Sequence, residues 1–295
     1  MSISAIPVES AAAVGAHGAD LRREFLRELV RQKSFIAGAV IVGFWIIAAI
    51  FGNLLVPQDP LAQNLLAINK APSGAHWFGT DQLGRDVFAR VISGSRDIMI
   101  TAPLATALGT VIGTALGLVM GYFRGISDEV IGRFVEAFLA LPLVVTGILG
   151  VVALGASNET LIFVIGIVFA PLIARTVRAA VIVERELDYV AAARLRGESS
   201  LYIMFAEILP NVLAPIMVEF TVRVGYAVFT IVTLSFLGFG LQPPTPNWGS
   251  DINANFVEVG AGYWWEVLFF ALAIASLVVG VNMLANSIES AVDAS

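Results

Sequence analysis

The sequence predicts an all-α fold, a polytopic membrane helical bundle with six transmembrane helices. Hydrophobic residues make up 58% of its 295 residues and charged residues 14%, whereas ordinary soluble domains average about 45–50% and about 25%. Six apolar runs are long enough to cross roughly 30 Å of hydrocarbon. These runs cover residues 35–56, 98–123, 134–156, 161–183, 212–234 and 263–284.

Residues 1–34 form a polar and then basic segment, which we expect on the cytoplasmic side. The first apolar run, residues 35–56, contains no charged residue and begins too far along the chain for a cleaved signal peptide. We therefore predict that it is a retained transmembrane helix. The basic residues in front of it are Arg22, Arg23, Arg27, Arg31 and Lys33.

Residues 57–97 form a long segment that we expect on the extracytoplasmic side. Turn-forming residues dominate its first half, whereas Val87, Val91 and Ile98 recur at helical spacing near its end. This pattern predicts a short interfacial helix over residues 87–100, lying on the membrane before the second span.

The remaining spans form a membrane domain over residues 98–288, followed by a C-terminal tail, residues 289–295. The fourth span is uncharged only over residues 161–174, which also fits a re-entrant segment. Arg175 and Arg178 can extend their side chains toward the interface, which favours a continuous helix instead.

The distribution of basic residues predicts which side of the membrane each loop occupies. Twelve lie in or beside the segments assigned to the cytoplasm, and four lie in the opposite segment 57–97. Because short cytoplasmic loops carry the excess of Lys and Arg, both termini are predicted to be cytoplasmic.

Several classes of function are excluded by the composition. The chain has no cysteine, which rules out disulfides and thiolate metal sites, and its two histidines have no ligand-like neighbours, so no metal site is predicted. It has no phosphate-binding Gly-x-x-x-x-Gly-Lys-Ser/Thr loop, no nucleophile–base set and no basic tract for nucleic acid. We therefore expect a membrane subunit that is not an enzyme and has no cofactor of its own.

The segment 184–210 is a charged loop between the fourth and fifth spans. Asp188 can cap a first short helix, and Gly197 suits a left-handed C-cap that ends it. A second helix is expected to end where Pro210 interrupts it. Such a helical hairpin suits contact with a soluble partner that moves the membrane domain, although an ordinary surface hairpin has the same pattern.

The spacing of this loop resembles the EAA loop of ABC importer permeases: E-A-A, three residues, G, nine residues, I, one residue, L-P. Two positions depart from that pattern, because Ala191 replaces the acidic residue and Glu207 replaces the isoleucine. The resemblance implies ATPase coupling through Tyr189, Ala191, Ala192, Gly197, Glu198, Leu209 and Pro210.

A second block, HWFGTDQLGRD at residues 76–86, resembles H-x-F-G-T-D-x-x-G-R-D of the C-type permease in dipeptide, oligopeptide and nickel importers, the DppC/OppC branch. Asp81, Arg85 and Asp86 are expected to form a local charge-paired knot, and Trp77 and Phe78 to sit at the membrane interface. The block fits either a self-packed outer loop or a contact with a binding protein, and both can hold.

A third block, residues 236–249, resembles the proline-rich segment that follows the fifth span in the same family. Its prolines predict an extended path, and Trp248 is expected to anchor the chain at the interface. The outer residues assigned to this face, or to contact with a binding protein, are His76, Phe78, Gly79, Asp81, Gly84, Arg85, Asp86 and Trp248.

The resemblance implies the type I ABC importer permease fold and a subunit forming half of a pathway for peptides or a related small solute. It further implies a B-type permease as heterodimer partner, two ATPase subunits that hold ATP and Mg, an extracytoplasmic substrate-binding protein, and multi-pass insertion into the lipid of the bacterial inner membrane.

The alternative is a self-sufficient secondary transporter or channel, which would favour an inverted repeat and ion-coupling carboxylates at depth. No repeat is visible in the sequence. Glu219 and Arg223 lie i, i+4 within the fifth span, where they form either an intramembrane structural pair or part of the solute pathway. Glycines at 109, 113, 117 and 121 predict close helix packing, either inside the bundle or against a partner permease. Pro142 and Pro171 are predicted to kink their helices.

Overall fold

The computed structural model describes residues 29–293. Regular structure within that range is helical, apart from one isolated bridge between Thr80 and Asp86. In chain order the helices are α1 (Lys33–Leu55), α2 (Val87–Phe123), α3 (Gly125–Leu139), α4 (Leu143–Leu154), α5 (Asn158–Glu184), α6 (Asp188–Leu195), α7 (Ser200–Tyr202 continued by a π-helical turn Ile203–Ile208 and a last turn Leu209–Asn211), α8 (Leu213–Phe236), α9 (Trp248–Asn255) and α10 (Trp265–Asp293).

The prediction of six spans is confirmed, except that one of the six is bent and made of two helices. Helices α1, α2, α5, α8 and α10 are each long and apolar enough to cross a membrane, and α3 with α4 makes a sixth candidate span that is bent by 90°. The fourth predicted span is a continuous helix of 27 residues, so the re-entrant alternative is wrong.

The third span, predicted over residues 134–156 with a kink at Pro142, is divided there into two separate helices. It breaks at residues 140–142, where Pro142 has φ −58° and ψ 128° and precedes the first residue of α4. Proline has no N–H to continue a helical ladder and disfavours helical geometry in the residue before it. The helix therefore ends near Ala140, and the chain leaves in a new direction.

The short interfacial helix predicted over residues 87–100 is also wrong as a separate element. Helix α2 is continuous over 37 residues, about 55 Å at 1.5 Å per residue, so its first turns extend beyond the hydrocarbon. Asp86 caps its start by accepting a hydrogen bond from the Ala89 N–H at 2.8 Å. The predicted C-terminal tail, residues 289–295, is part of α10 as far as Asp293.

The glycine repeat of α2 packs against α5 inside the bundle. A Cβ atom at Gly113 would lie 2.7 Å from the Ala170 carbonyl oxygen, and one at Gly117 would lie 2.6 Å from the Val177 Cβ. These separations leave no room for a side chain, which confirms the predicted close packing. The α2–α5 pair is thus closely packed along its length.

Candidate functional site

The loop between α5 and α8 forms the predicted helical hairpin, made of α6 and α7. Gly197 has φ +80°, the Gly197 N–H donates to the Arg194 carbonyl at 3.0 Å, and the Glu198 N–H donates to the Ala193 carbonyl at 3.2 Å. This pair of bonds is the Schellman closure of a helix by a left-handed residue. The predicted left-handed C-cap at Gly197 is confirmed.

Two local predictions for the hairpin are wrong. Asp188 is the first residue of α6 instead of its cap, because Leu187 holds the N-cap position and offers no side-chain bond. Pro210 does not end the second helix, which continues to Asn211. Pro210 lies directly after the π-helical turn, and it has no N–H to donate to the preceding turn.

The two faces of the hairpin have opposite character. Its inner face is buried in the bundle core through Val190, Ala193, Ile203, Met204 and Ile208, each at most 2% exposed. On its outer face, the apolar edge consists of Leu195, Leu201 and Phe205, which are 90%, 65% and 55% exposed. Ala191 and Ala192 are exposed on α6 as well. The hairpin is therefore fixed to the bundle on one side and presents an unpartnered apolar edge on the other.

Polar contacts also attach the hairpin to the bundle. The Arg194 guanidinium lies 5.4 Å from the ring centroid of Tyr122 at the end of α2, and Arg185 donates to the Tyr122 carbonyl. Glu207, which departs from the family pattern, accepts a bond from the Arg196 guanidinium at 3.0 Å. Glu207 thus joins α7 to the end of α6, a role the sequence reading missed.

The outer block at residues 76–86 is largely packed on itself. The Arg85 Nε–H donates to Asp81 Oδ2 at 2.6 Å, which confirms the predicted pair. Asp86 does not join that pair, because its Oδ2 lies 2.8 Å from His76 Nδ1. Gly79 and Gly84 have φ +78° and +69°, and a Cβ at Gly84 would lie 2.0 Å from the Asn64 carbonyl oxygen.

Most of the predicted outer-face residues are buried within this subunit. Asp81, Arg85 and Asp86 are 1%, 5% and 5% exposed, so they stabilise the loop instead of offering a surface. His76 is partly exposed, and Phe78 stacks on Phe269 with ring centroids 3.9 Å apart. A self-packed loop is therefore the arrangement present in this subunit.

Trp248 is not the exposed interfacial anchor that its sequence predicts. It is 0% exposed, its Nε1–H donates to the Val91 carbonyl at 2.8 Å, and its ring meets Trp45 edge-on at 4.9 Å. Nor is the preceding segment extended: the chain turns at Pro243–Pro244, whose peptide is cis. Trp248 is the first residue of α9 and lies in the hydrophobic core.

A buried ion pair beneath the outer loops was missed by the sequence reading. Arg90 and Asp251, each 3% exposed at the side chain, lie 2.7 Å apart, and Arg85 lies 3.8 Å from the same carboxylate. Burial raises the pKa of Asp251, and the positive charges of Arg90 and Arg85 oppose that shift. One feature of the sequence indicated that Arg90 is buried: it lies on the same turns of α2 as the apolar Val87 and Val91, which are buried too.

The intramembrane pair predicted in the fifth span is confirmed as a contact. The Arg223 Nε–H donates to Glu219 Oε1 at 2.6 Å, and the two side chains are 19% and 14% exposed. The guanidinium also lies 5.3 Å from the ring centroid of Tyr226. Pairing along one helix face lowers the cost of keeping both charges in a membrane span.

A polar cavity of about 590 Å³ opens between α2, α3 and α5. Asp128 and Arg178 form a bidentate pair in its wall, with N–O distances of 2.5 and 2.6 Å. Arg175 and Glu136 also line it, are exposed, and have no ion-pair partner among the described residues. The cavity therefore offers groups of both charge signs to a solute.

Comparison with known proteins places these features in a family. The model for the binding-protein-dependent transport system inner membrane component matches residues 113–294, and that for the N-terminal TM domain of oligopeptide transport permease C matches residues 21–72.

Full-length relatives agree with those matches. The glutathione transport system permease protein GsiD of Pectobacterium atrosepticum is 35% identical over 275 residues, covering 92% of this chain and 90% of the relative. The dipeptide transport system permease protein DppC of Alkalihalophilus pseudofirmus is 36% identical over 273 residues, covering 92% and 89%. GsiD of Escherichia coli O157:H7 has the same identity over the same length.

Proposed function

The chain belongs to the family of binding-protein-dependent transport system inner membrane components and is a C-type permease subunit of an ABC importer, and we propose that its solute is a small peptide. Two relatives are named as permeases for dipeptides and for glutathione. A peptide carries an ammonium and a carboxylate, and the cavity beside Arg175 and Glu136 offers the opposite charge to each.

The helical hairpin carries the proposal that transport is driven by separate ATPases. Its inner face is fixed in the core, while Leu195 beside the left-handed Gly197 is 90% exposed. An apolar edge held in fixed geometry suits insertion into a groove of a partner protein. Closure of two ATPase subunits, which hold ATP and Mg, would push on this edge and rock the bundle between outward and inward access.

The remaining partners follow from the same proposal. One six-span chain with one hairpin supplies half of a symmetric machine, so a B-type permease completes the pathway. An extracytoplasmic binding protein delivers the peptide to the outer side. The chain itself performs no chemistry on the solute or on ATP.

Reconstitution in liposomes tests the proposal. We expect ATP-dependent uptake of dipeptides when this chain is combined with its B-type permease, two ATPases and the binding protein. We expect none from the chain alone. Uptake by the chain alone under a proton or sodium gradient would instead support a secondary transporter. Uptake with ATPases but without a second permease would contradict the heterodimer.

The chain is a multi-pass protein of the bacterial inner membrane, and we propose that its hairpin and both termini face the cytoplasm. The excess of basic residues on that side supports the assignment. In this cysteine-free chain, cysteines at the exposed Ser73 and Ser199 should react with an impermeant maleimide from opposite sides of the membrane. Reaction of both from one side would show that the proposed orientation is wrong.

A further inference from the structure

The Tyr189 side chain connects three helices of the hairpin region through one hydroxyl group. The hydroxyl donates to Glu184 Oε1 at 2.8 Å and accepts a bond from Asn211 Nδ2 at 3.1 Å. Glu184 is the last residue of α5, and Asn211 is the last residue of α7, two residues before α8 begins. The same Asn211 amide also donates to the Glu207 carbonyl at 2.8 Å.

The surroundings of Tyr189 keep its hydroxyl group protonated. The ring is partly buried and packs against the bundle core. Burial, followed by the hydrogen bond to Glu184, raises the pKa of Tyr189 to about 12. The hydroxyl therefore retains its proton at physiological pH and can donate to the carboxylate while accepting from the amide.

Besides this contact, packing of the inner faces and the Arg196–Glu207 bond join α6 to α7, and the remaining route from α6 to α8 runs along the chain. That route passes the turn at residues 196–199 and the π-helical turn Ile203–Ile208, and π-helical turns are rare interruptions in helices, frequent at functional sites. The hydroxyl bypasses both, since it joins residues 22 positions apart in sequence.

We propose that the Tyr189 hydroxyl is a positioning contact that holds the inner ends of α5 and α8 to α6, so that a push on the hairpin moves both spans together. The inference rests on the proposed function, because the push is supplied by the ATPases. It assigns Tyr189 to transmission within the permease instead of contact with the ATPase.

The test is Tyr189→Phe, which keeps the ring and removes only the hydroxyl. In the reconstituted importer, we expect the ATPases to bind as in the wild type, while the ATP hydrolysed per peptide taken up rises roughly fivefold, the factor that one net hydrogen bond is worth. Glu184→Gln keeps an acceptor and should retain the wild-type ratio, whereas Glu184→Ala should raise the ratio less than Tyr189→Phe, because the hydroxyl keeps its bond from Asn211. The double variant Tyr189→Phe plus Glu184→Ala should be no worse than Tyr189→Phe alone.

Tyr202→Phe is the matched control, since Tyr202 lies in the same hairpin and its hydroxyl makes no hydrogen bond to residues 29–293. It should leave the ratio unchanged. A wild-type ratio in Tyr189→Phe, or loss of ATPase binding in that variant, would overturn the proposal.

Hydrogen exchange separates this inference from the proposed function. In the purified permease, without transport, Tyr189→Phe should speed amide exchange over residues 211–213 several-fold, and Tyr202→Phe should not. Unchanged exchange in Tyr189→Phe would show that the hydroxyl does not hold these residues in place, and would overturn the proposal. Absence of ATP-dependent uptake in the wild type, by contrast, counts against the proposed function and not against the contact.

Discussion

Gly197→Val is expected to reduce ATP-dependent uptake strongly while the permease still inserts and assembles with its permease partner. Gly197 has φ +80°, a conformation that costs a residue with a Cβ roughly 1–2 kcal/mol. A Cβ there meets no atom of this subunit within 4 Å, so the bundle itself accommodates the side chain. The added bulk instead stands beside the exposed Leu195, where the ATPase is proposed to attach.

Two measurements check this prediction: the amount of ATPase that co-purifies with the permease, and peptide uptake in proteoliposomes. Both should fall together, by roughly tenfold or more if the strain and the obstruction both act on docking. Full docking and uptake in Gly197→Val would mean that the hairpin is a passive surface element.

Gly155→Val is a matched control for backbone strain. Gly155 has φ +88° and open space around it, and it lies between α4 and α5, at the other end of α5 from the hairpin. Gly155→Val should lower the stability of the permease about as much as Gly197→Val does, without reducing ATPase attachment. Ala191→Ser, at the exposed position where this chain lacks the acidic residue of the family, should be tolerated as well.

Arg90→Ala is expected to destabilise the permease by roughly 3–5 kcal/mol, the cost of leaving one member of a buried ion pair without its partner. Asp251 would then remain 3% exposed, with Arg85, 3.8 Å away, as the one cation paired with it among the described residues. Arg90 also donates to the carbonyls of Pro60 and Pro244 at 3.0 and 3.3 Å. Loss of the Arg90 side chain therefore breaks contacts among three outer segments. The measurement is the melting temperature of the purified permease, which should fall.

Arg133→Ala is the control for removal of an arginine charge. Arg133 pairs with Glu129 at 2.8 Å, but their side chains are 76% and 65% exposed, and such surface pairs contribute about 0–1 kcal/mol. The double variant Arg90→Met plus Asp251→Leu should recover part of the lost stability, because it leaves no unpaired buried charge. A wild-type melting temperature in Arg90→Ala would contradict the stabilising role of the pair.

The sequence by itself determined the helical class, the number of spans and the local turns. Run length and hydropathy fix the spans, because backbone groups in hydrocarbon must be satisfied within each segment. Contacts between near neighbours were also predictable: the left-handed turn at Gly197, the Asp81–Arg85 bond and the Glu219–Arg223 pair all depend on spacings within a turn or two.

Only the tertiary structure decided the direction of helices and the partners of distant residues. Pro142 predicts a kink in the third span but not its size, which is 90°. The fusion of residues 87–100 with the second span depends on packing along the whole of α2. Trp248 is buried because Trp45 and the α2 backbone surround it.

Arg90 meets Asp251 across 161 residues, and Tyr189 meets Asn211 across 22. No local spacing encodes such contacts. They arise where the folded bundle brings separate segments to the same place. At the buried Arg90–Asp251 pair, burial also leaves each charge only the partners that packing supplies.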